Sequence, residues 1–133
     1  MGFTRYWTFN QLDKEKFKDF SFICETLIDG MGVPLDDIVV SETQVRFNGV
    51  DDDAHETFDF KVDKMGFNFC KTIVKPYDEV VCGCLYVAKL VFGDDIKINQ
   101  DCDPSDDEDI ILKVKSLLRE KKLNLILEKS LSN

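Results

Sequence analysis

Residues 76–92, Pro-Tyr-Asp-Glu-Val-Val-Cys-Gly-Cys-Leu-Tyr-Val-Ala-Lys-Leu-Val-Phe, decide the fold. From Tyr77 to Phe92 the stretch is apolar almost all round, and a helix without a polar face is a buried one. Pro76 stands where such a helix begins, because the N–H it lacks has no helical partner there in any case. Gly93 ends it. We therefore read 77–92 as a central helix packed on a sheet, with Val81, Leu85 and Phe92 in the core.

Working outward, residues 56–62 (ETFDFKV) alternate strictly, with Phe58, Phe60 and Val62 on one face, as in a half-buried antiparallel strand. Residues 37–41 and 43–49 read as short strands, and Asn48-Gly49 followed by Asp51 to Asp53 reads as a turn. Residues 64–75 are expected to be irregular. Residues 3–9 (FTRYWTF) favour a strand with Phe3, Arg5, Trp7 and Phe9 on one face. From Leu12 to Met31, with Asn10 as N-cap, Phe17, Phe20, Cys24, Leu27, Ile28 and Met31 recur at steps of three and four, the pattern of an amphipathic helix. Beyond the central helix come a strand at 95–99, an acidic stretch at 101–109 and a helix at 105–123 with Ile110, Ile111, Val114, Leu117 and Leu118 on its stripe. Leu125 to Leu127 are expected to extend that packing, and Ser130 onward to fray. Strands grouped between helices indicate an α+β domain spanning 1–133, with a mainly antiparallel sheet of about four to five strands and flanking helices 12–31 and 105–123.

The chain has 133 residues, 44% of them hydrophobic, enough for one core without disulfide or metal support. Its 17 basic and 26 acidic residues give a net charge of −9. That argues against a nucleic-acid groove and against an anionic membrane surface. No apolar run reaches the roughly 18 residues of a membrane span. The opening MGFTRYW lacks a signal-peptide layout. Five cysteines, an odd number without framework spacing, indicate free thiols in a reducing compartment.

Most site motifs fail. Neither acidic loop meets the calcium-loop template: from Asp101 the Gly and Glu positions hold Asp106 and Leu112, and from Asp51 they hold Glu56 and Val62. No phosphate-binding glycine loop is present, one histidine is too few for a zinc site, and no cofactor is implied. Two segments stand apart: Asn48-Gly49 with His55-Glu56-Thr57-Phe58, and Phe69-Cys70-Lys71-Thr72 with Lys75-Pro76-Tyr77-Asp78. The second leads into the N-terminus of the central helix, whose free N–H groups can receive an anion. Asp78 there can equally be a helix cap.

These segments, with Gly2-Phe3-Thr4-Arg5-Tyr6-Trp7, Phe47-Asn48-Gly49 and Gly93-Asp94, resemble a family of small uncharacterised phage proteins with bacterial relatives. The family pattern carries Tyr and His where Phe3 and Arg5 stand, and Ser-Ser-Asp-Gly where Asn99-Gln100-Asp101-Cys102 stand. The resemblance spans roughly residues 2 to 98. It implies a site and a viral or mobile-element origin, without naming an activity.

The leading expectation is a viral protein in the host cytoplasm that binds, and sequesters, an anionic nucleotide-like molecule such as a signal of host immunity. Its site would draw on Arg5, Tyr6 and Trp7, on Asn48, His55, Glu56 and Thr57, and on Cys70, Lys71, Thr72, Lys75, Tyr77 and Asp78. Aromatics would stack on a planar group, while Arg5, Lys71 and Lys75 meet the anion. In that reading Arg5 or Trp7, His55 and Lys75 line one concavity. Two alternatives stand beside it: a hydrolase with His55 as base or Cys70 as nucleophile, and an acidic inhibitor of a host enzyme acting through 101–109.

Overall fold

The computed structural model describes residues 3–121. In chain order the elements are β1 (Thr4–Phe9), α1 (Lys14–Gly30), β2 (Asp36–Val40), β3 (Gln44–Asn48), β4 (Phe58–Lys61), β5 (Gly66–Lys71), α2 (Asp78–Phe92), β6 (Ile96–Gln100) and α3 (Glu108–Glu120). Short 3₁₀ turns occupy Asp51–Asp53, Gly93–Asp95 and Pro104–Asp107. The fold is α+β, but the strands do not form the one larger sheet that was expected. They divide into two antiparallel three-stranded sheets, ordered β5-β1-β6 and β2-β3-β4.

The additional strand is β5, inside the 64–75 stretch read as irregular. It runs antiparallel to β1, with Arg5 opposite Cys70, Tyr6 opposite Phe69 and Trp7 opposite Asn68. Its alternation is inverted relative to an ordinary half-buried strand: Phe67 and Phe69 face out, while Asn68 and Cys70 face in. Asn68 is accommodated inside because its amide donates to the carbonyls of Lys64 and Gly66 at 3.1 and 3.2 Å. A buried polar group that keeps its hydrogen bonds costs little.

Asp13, not Asn10, caps α1. Its side chain accepts a hydrogen bond from the Lys16 N–H at 2.9 Å, so the helix starts at Lys14 rather than Leu12. The stripe Phe17, Phe20, Ile23, Cys24, Leu27 and Ile28 is buried. Trp7 and Phe9 of β1 stack on Phe60 of β4 at centroid distances of 5.6 and 5.8 Å, and Phe20 of α1 approaches the same ring at 4.9 Å. The two small sheets therefore share one core. Within α2, Val80, Val81, Leu85, Val87, Ala88, Val91 and Phe92 are buried. Gly83 lets α1 and α3 close on it: a Cβ there would lie 3.1 Å from Val114 and 3.2 Å from Leu27. The helix expected at 105–123 begins as the 3₁₀ turn at Pro104–Asp107 and continues as α3. The readings for Leu125 to Leu127 and from Ser130 onward lie outside the described residues.

Between β5 and α2 the chain makes a turn that its sequence resists. Ile73 and Val74 have φ of 47° and 58°, and the Lys75 N–H donates to the Thr72 carbonyl at 3.1 Å. Two consecutive β-branched residues in the left-handed region are unfavourable, since Cβ crowds the following carbonyl. Val74 is exposed, so its side chain contributes little packing in return. Val74→Gly should raise stability by about 1 kcal/mol, read as a higher denaturant midpoint at unchanged slope. A lower midpoint would mean that Val74 is held by packing and not merely tolerated.

Candidate functional site

The residues singled out in the sequence gather into three hydrogen-bonded knots and one open face. The first knot centres on Arg5, which points from β1 into the protein and is 3% exposed. Its Nε and Nη2 donate to the two oxygens of Asp78 at 2.8 and 2.9 Å, and its Nη1 and Nη2 donate to the two oxygens of Asp107 at 2.8 and 2.9 Å. The Thr72 hydroxyl donates to Asp78 at 2.7 Å. The Phe3 ring covers the guanidinium at 5.0 Å. Burial pulls the Arg5 pKa down, but its hydrogen bonds to Asp107 and Asp78 outweigh it, and the net displacement is upward. Arg5 is thus a doubly bidentate staple between β1, the start of α2 and the start of α3. It has no fork left for an outside anion. Asp78 likewise spends its carboxylate on Arg5 and Thr72 and does not cap α2.

Glu56 makes the second knot. Its carboxylate accepts from the Lys71 N–H at 2.7 Å, and its carbonyl accepts from the Tyr77 hydroxyl at 2.5 Å and the Cys70 thiol at 3.3 Å. Burial pushes the Cys70 thiol up to about 12, and it raises Tyr77 as well. Cys70 is therefore a protonated, structural thiol at neutral pH, without the thiolate that nucleophilic catalysis requires. In the third knot the Asn48 side chain closes the 48–57 loop. Its oxygen accepts from the Gly49 and His55 N–H groups at 2.7 and 3.1 Å, and its amide donates to the His55 carbonyl and the Thr57 hydroxyl. The imidazole of His55 is exposed and has no hydrogen-bond partner among the described residues.

The motifs do converge, as Glu56 with Cys70, Lys71 and Tyr77 shows, but the groups that meet satisfy one another. Trp7 is wholly in the aromatic core. Arg5 lines a cleft of about 220 Å³ between α2, β6 and α3, together with Cys82, Tyr86, Lys89 and Asp107; neither His55 nor Lys75 belongs to it. A larger cleft of about 590 Å³ lies near the start of α1, bounded by Asn10, Lys14, Val62 and Met65. In the acidic 101–109 stretch Asp107 is buried and the other five acids are exposed. Asp107 holds Arg5, the Asp101 carboxylate accepts from the Thr4 N–H and the Tyr6 hydroxyl, and Asp103 accepts from the Ser105 N–H.

What the motifs leave open is the outer face of the β5-β1-β6 sheet. The strand registers put Lys71, Thr4 and Asp101 in one corner region, then Phe69, Tyr6 and Asn99 in a row, then Phe67, Thr8 and Lys97 in the next. Phe67 is 64% exposed and Phe69 is 55% exposed. The Tyr6 ring stacks on Phe67 at 5.6 Å with 29° between planes, and Phe67 and Phe69 lie 6.0 Å apart. Tyr6 and Lys71 were expected site residues; Phe67, Phe69, Lys97 and Asn99 were not. The signal for them was Phe67-Asn68-Phe69, which alternates like a strand but in the opposite sense to burial.

Among the described residues no group of His, Cys, Asp and Glu is arranged to hold a metal ion, all five cysteines are free, and no helix is long and apolar enough to cross a membrane. No protein-family model, curated protein or solved structure matches this chain.

Proposed function

We propose that this chain is a small-ligand-binding protein that holds a planar, anionic, nucleotide-like molecule against the open face of the β5-β1-β6 sheet. The carrying observation is the exposure of Phe67 and Phe69 beside Tyr6, in a chain that buries Phe9, Phe17, Phe20, Phe47, Phe58, Phe60 and Phe92. Contiguous exposed aromatic surface marks a binding surface, and a ring stacked on an aromatic side chain contributes about 1–3 kcal/mol. Lys71 and Lys97 flank the rings, and neither is in an ion pair among the described residues. They are the cations available to an anion on this face, beside the exposed carboxylates of Asp101 and Glu56 at its Lys71 corner. Held without turnover, such a ligand is sequestered, the use we propose for a protein with phage-like motifs.

The test is a titration of the protein with nucleoside monophosphates, each compared with its nucleoside and with inorganic phosphate, followed by nuclear magnetic resonance of the aromatic signals. Saturable shifts at Tyr6, Phe67 and Phe69 are expected with the nucleotides. Phe69→Ser should weaken binding about tenfold without unfolding the chain, since the ring is exposed. Unperturbed aromatic signals across the whole series would refute the reading.

A further inference from the structure

We infer that the anionic group of the ligand sits at the Lys97 end of the open face, over Thr8, and not at the Lys71 corner. The inference rests on the binding reading above and adds the direction in which the ligand lies. Two cations flank the rings, but their surroundings differ. At the Lys71 corner the Glu56 carboxylate accepts from the Lys71 N–H at 2.7 Å, and the Asp101 carboxylate accepts from the Thr4 N–H at 2.9 Å and the Tyr6 hydroxyl at 2.8 Å. Thr4 is paired opposite Lys71 on the neighbouring strand. Both carboxylates are exposed and held in place, so one ammonium shares the corner with two fixed negative charges. Screening at physiological ionic strength is effective beyond about 8 Å. An anion therefore responds to the charges beside it more than to the net charge of −9, and at this corner the adjacent charges sum to repulsion.

The opposite end offers donors without that repulsion. Lys97 is exposed, is paired opposite Thr8 and makes no ion pair among the described residues. Thr8 is in turn opposite Phe67, so the small residue stands between an exposed ring and an ammonium. The Thr8 hydroxyl makes no hydrogen bond among the described residues. A phosphate there can meet the Lys97 ammonium and the Thr8 hydroxyl together, while a planar group rests on the exposed parts of Phe67 and Phe69. The nearest acid along the chain is Asp95, on the 3₁₀ turn before β6, one carboxylate against the two at the corner.

The test is calorimetry with AMP and adenosine, which differ only in the phosphate. AMP should bind the unchanged protein at least about tenfold more tightly than adenosine. Lys97→Gln should bring AMP down to the affinity of adenosine. Thr8→Val, which keeps the branched shape and loses the hydroxyl, should weaken AMP about threefold. Lys71→Gln should weaken AMP by less than about threefold, because the neighbouring carboxylates already offset its charge. Circular dichroism checks that each variant keeps the fold. If Lys71→Gln costs AMP as much as Lys97→Gln or more, the inference is overturned while the ligand reading stands. If AMP binds no more tightly than adenosine, or neither binds, the anionic-ligand reading and the inference fall together.

Discussion

Arg5→Ala should destabilise the protein by about 3–5 kcal/mol. The reason lies in what stays behind. Arg5 is the counter-ion of both Asp78 and Asp107, which are buried on either side of it. Without the guanidinium, two carboxylates face each other away from water, with only the Thr72 hydroxyl and weak thiol contacts as donors. Replacing all three charged residues together, as Arg5→Met with Asp78→Leu and Asp107→Leu, should recover much of the loss, because no unpaired charge is then buried. A triple variant as unstable as the single one would show that Arg5 matters through its packing. Acid supplies an independent readout. The hydrogen bond from Arg5 holds the Asp107 pKa below its ordinary value of 3.8. The stability this contributes is complete above that value and is lost as pH falls through the lower, folded pKa. Asp107→Asn should therefore flatten the stability profile below about pH 4.

Leu85→Ala should cost about 2–5 kcal/mol. Leu85 is 2% exposed in the middle of α2, the helix that packs against both other helices and the β5-β1-β6 sheet. Its loss leaves a cavity that rigid neighbours cannot close, and this adds to the lost transfer energy. The denaturant midpoint reports the change. A loss under about 0.5 kcal/mol would place α2 at the periphery and contradict the architecture.

The helices were legible because their signal is local and redundant. The stripe from Phe17 to Ile28 and the apolar run from Val80 to Phe92 repeat the same instruction over several turns, and burial follows it. β1 and β4 were legible for the same reason, through alternation in phase with the core. β5 was not. Its phenylalanines face water and its asparagine faces in, an arrangement possible only because Lys64 and Gly66 offer carbonyls to Asn68. The division into two sheets was equally hidden, since alternation shows which face of a strand is buried and does not show which strand lies beside it.

For the site, composition and motif spacing pointed to groups carrying chemistry on β1, in the 48–58 segment and in the 69–78 segment. Tertiary structure alone decided what they do there. Arg5 looked like an anion receptor because Asp107, its second partner, is 102 positions away in a stretch that reads as solvated acid. Glu56 meets Lys71 and Tyr77 only once β5 has turned back along β1. A side chain's charge is written in the sequence. Whether that charge is already neutralised depends on contacts across the fold, and here those contacts consume Arg5 and Asp78 while leaving Tyr6, Phe67, Phe69, Lys71 and Lys97 on a face that no other element among the described residues covers.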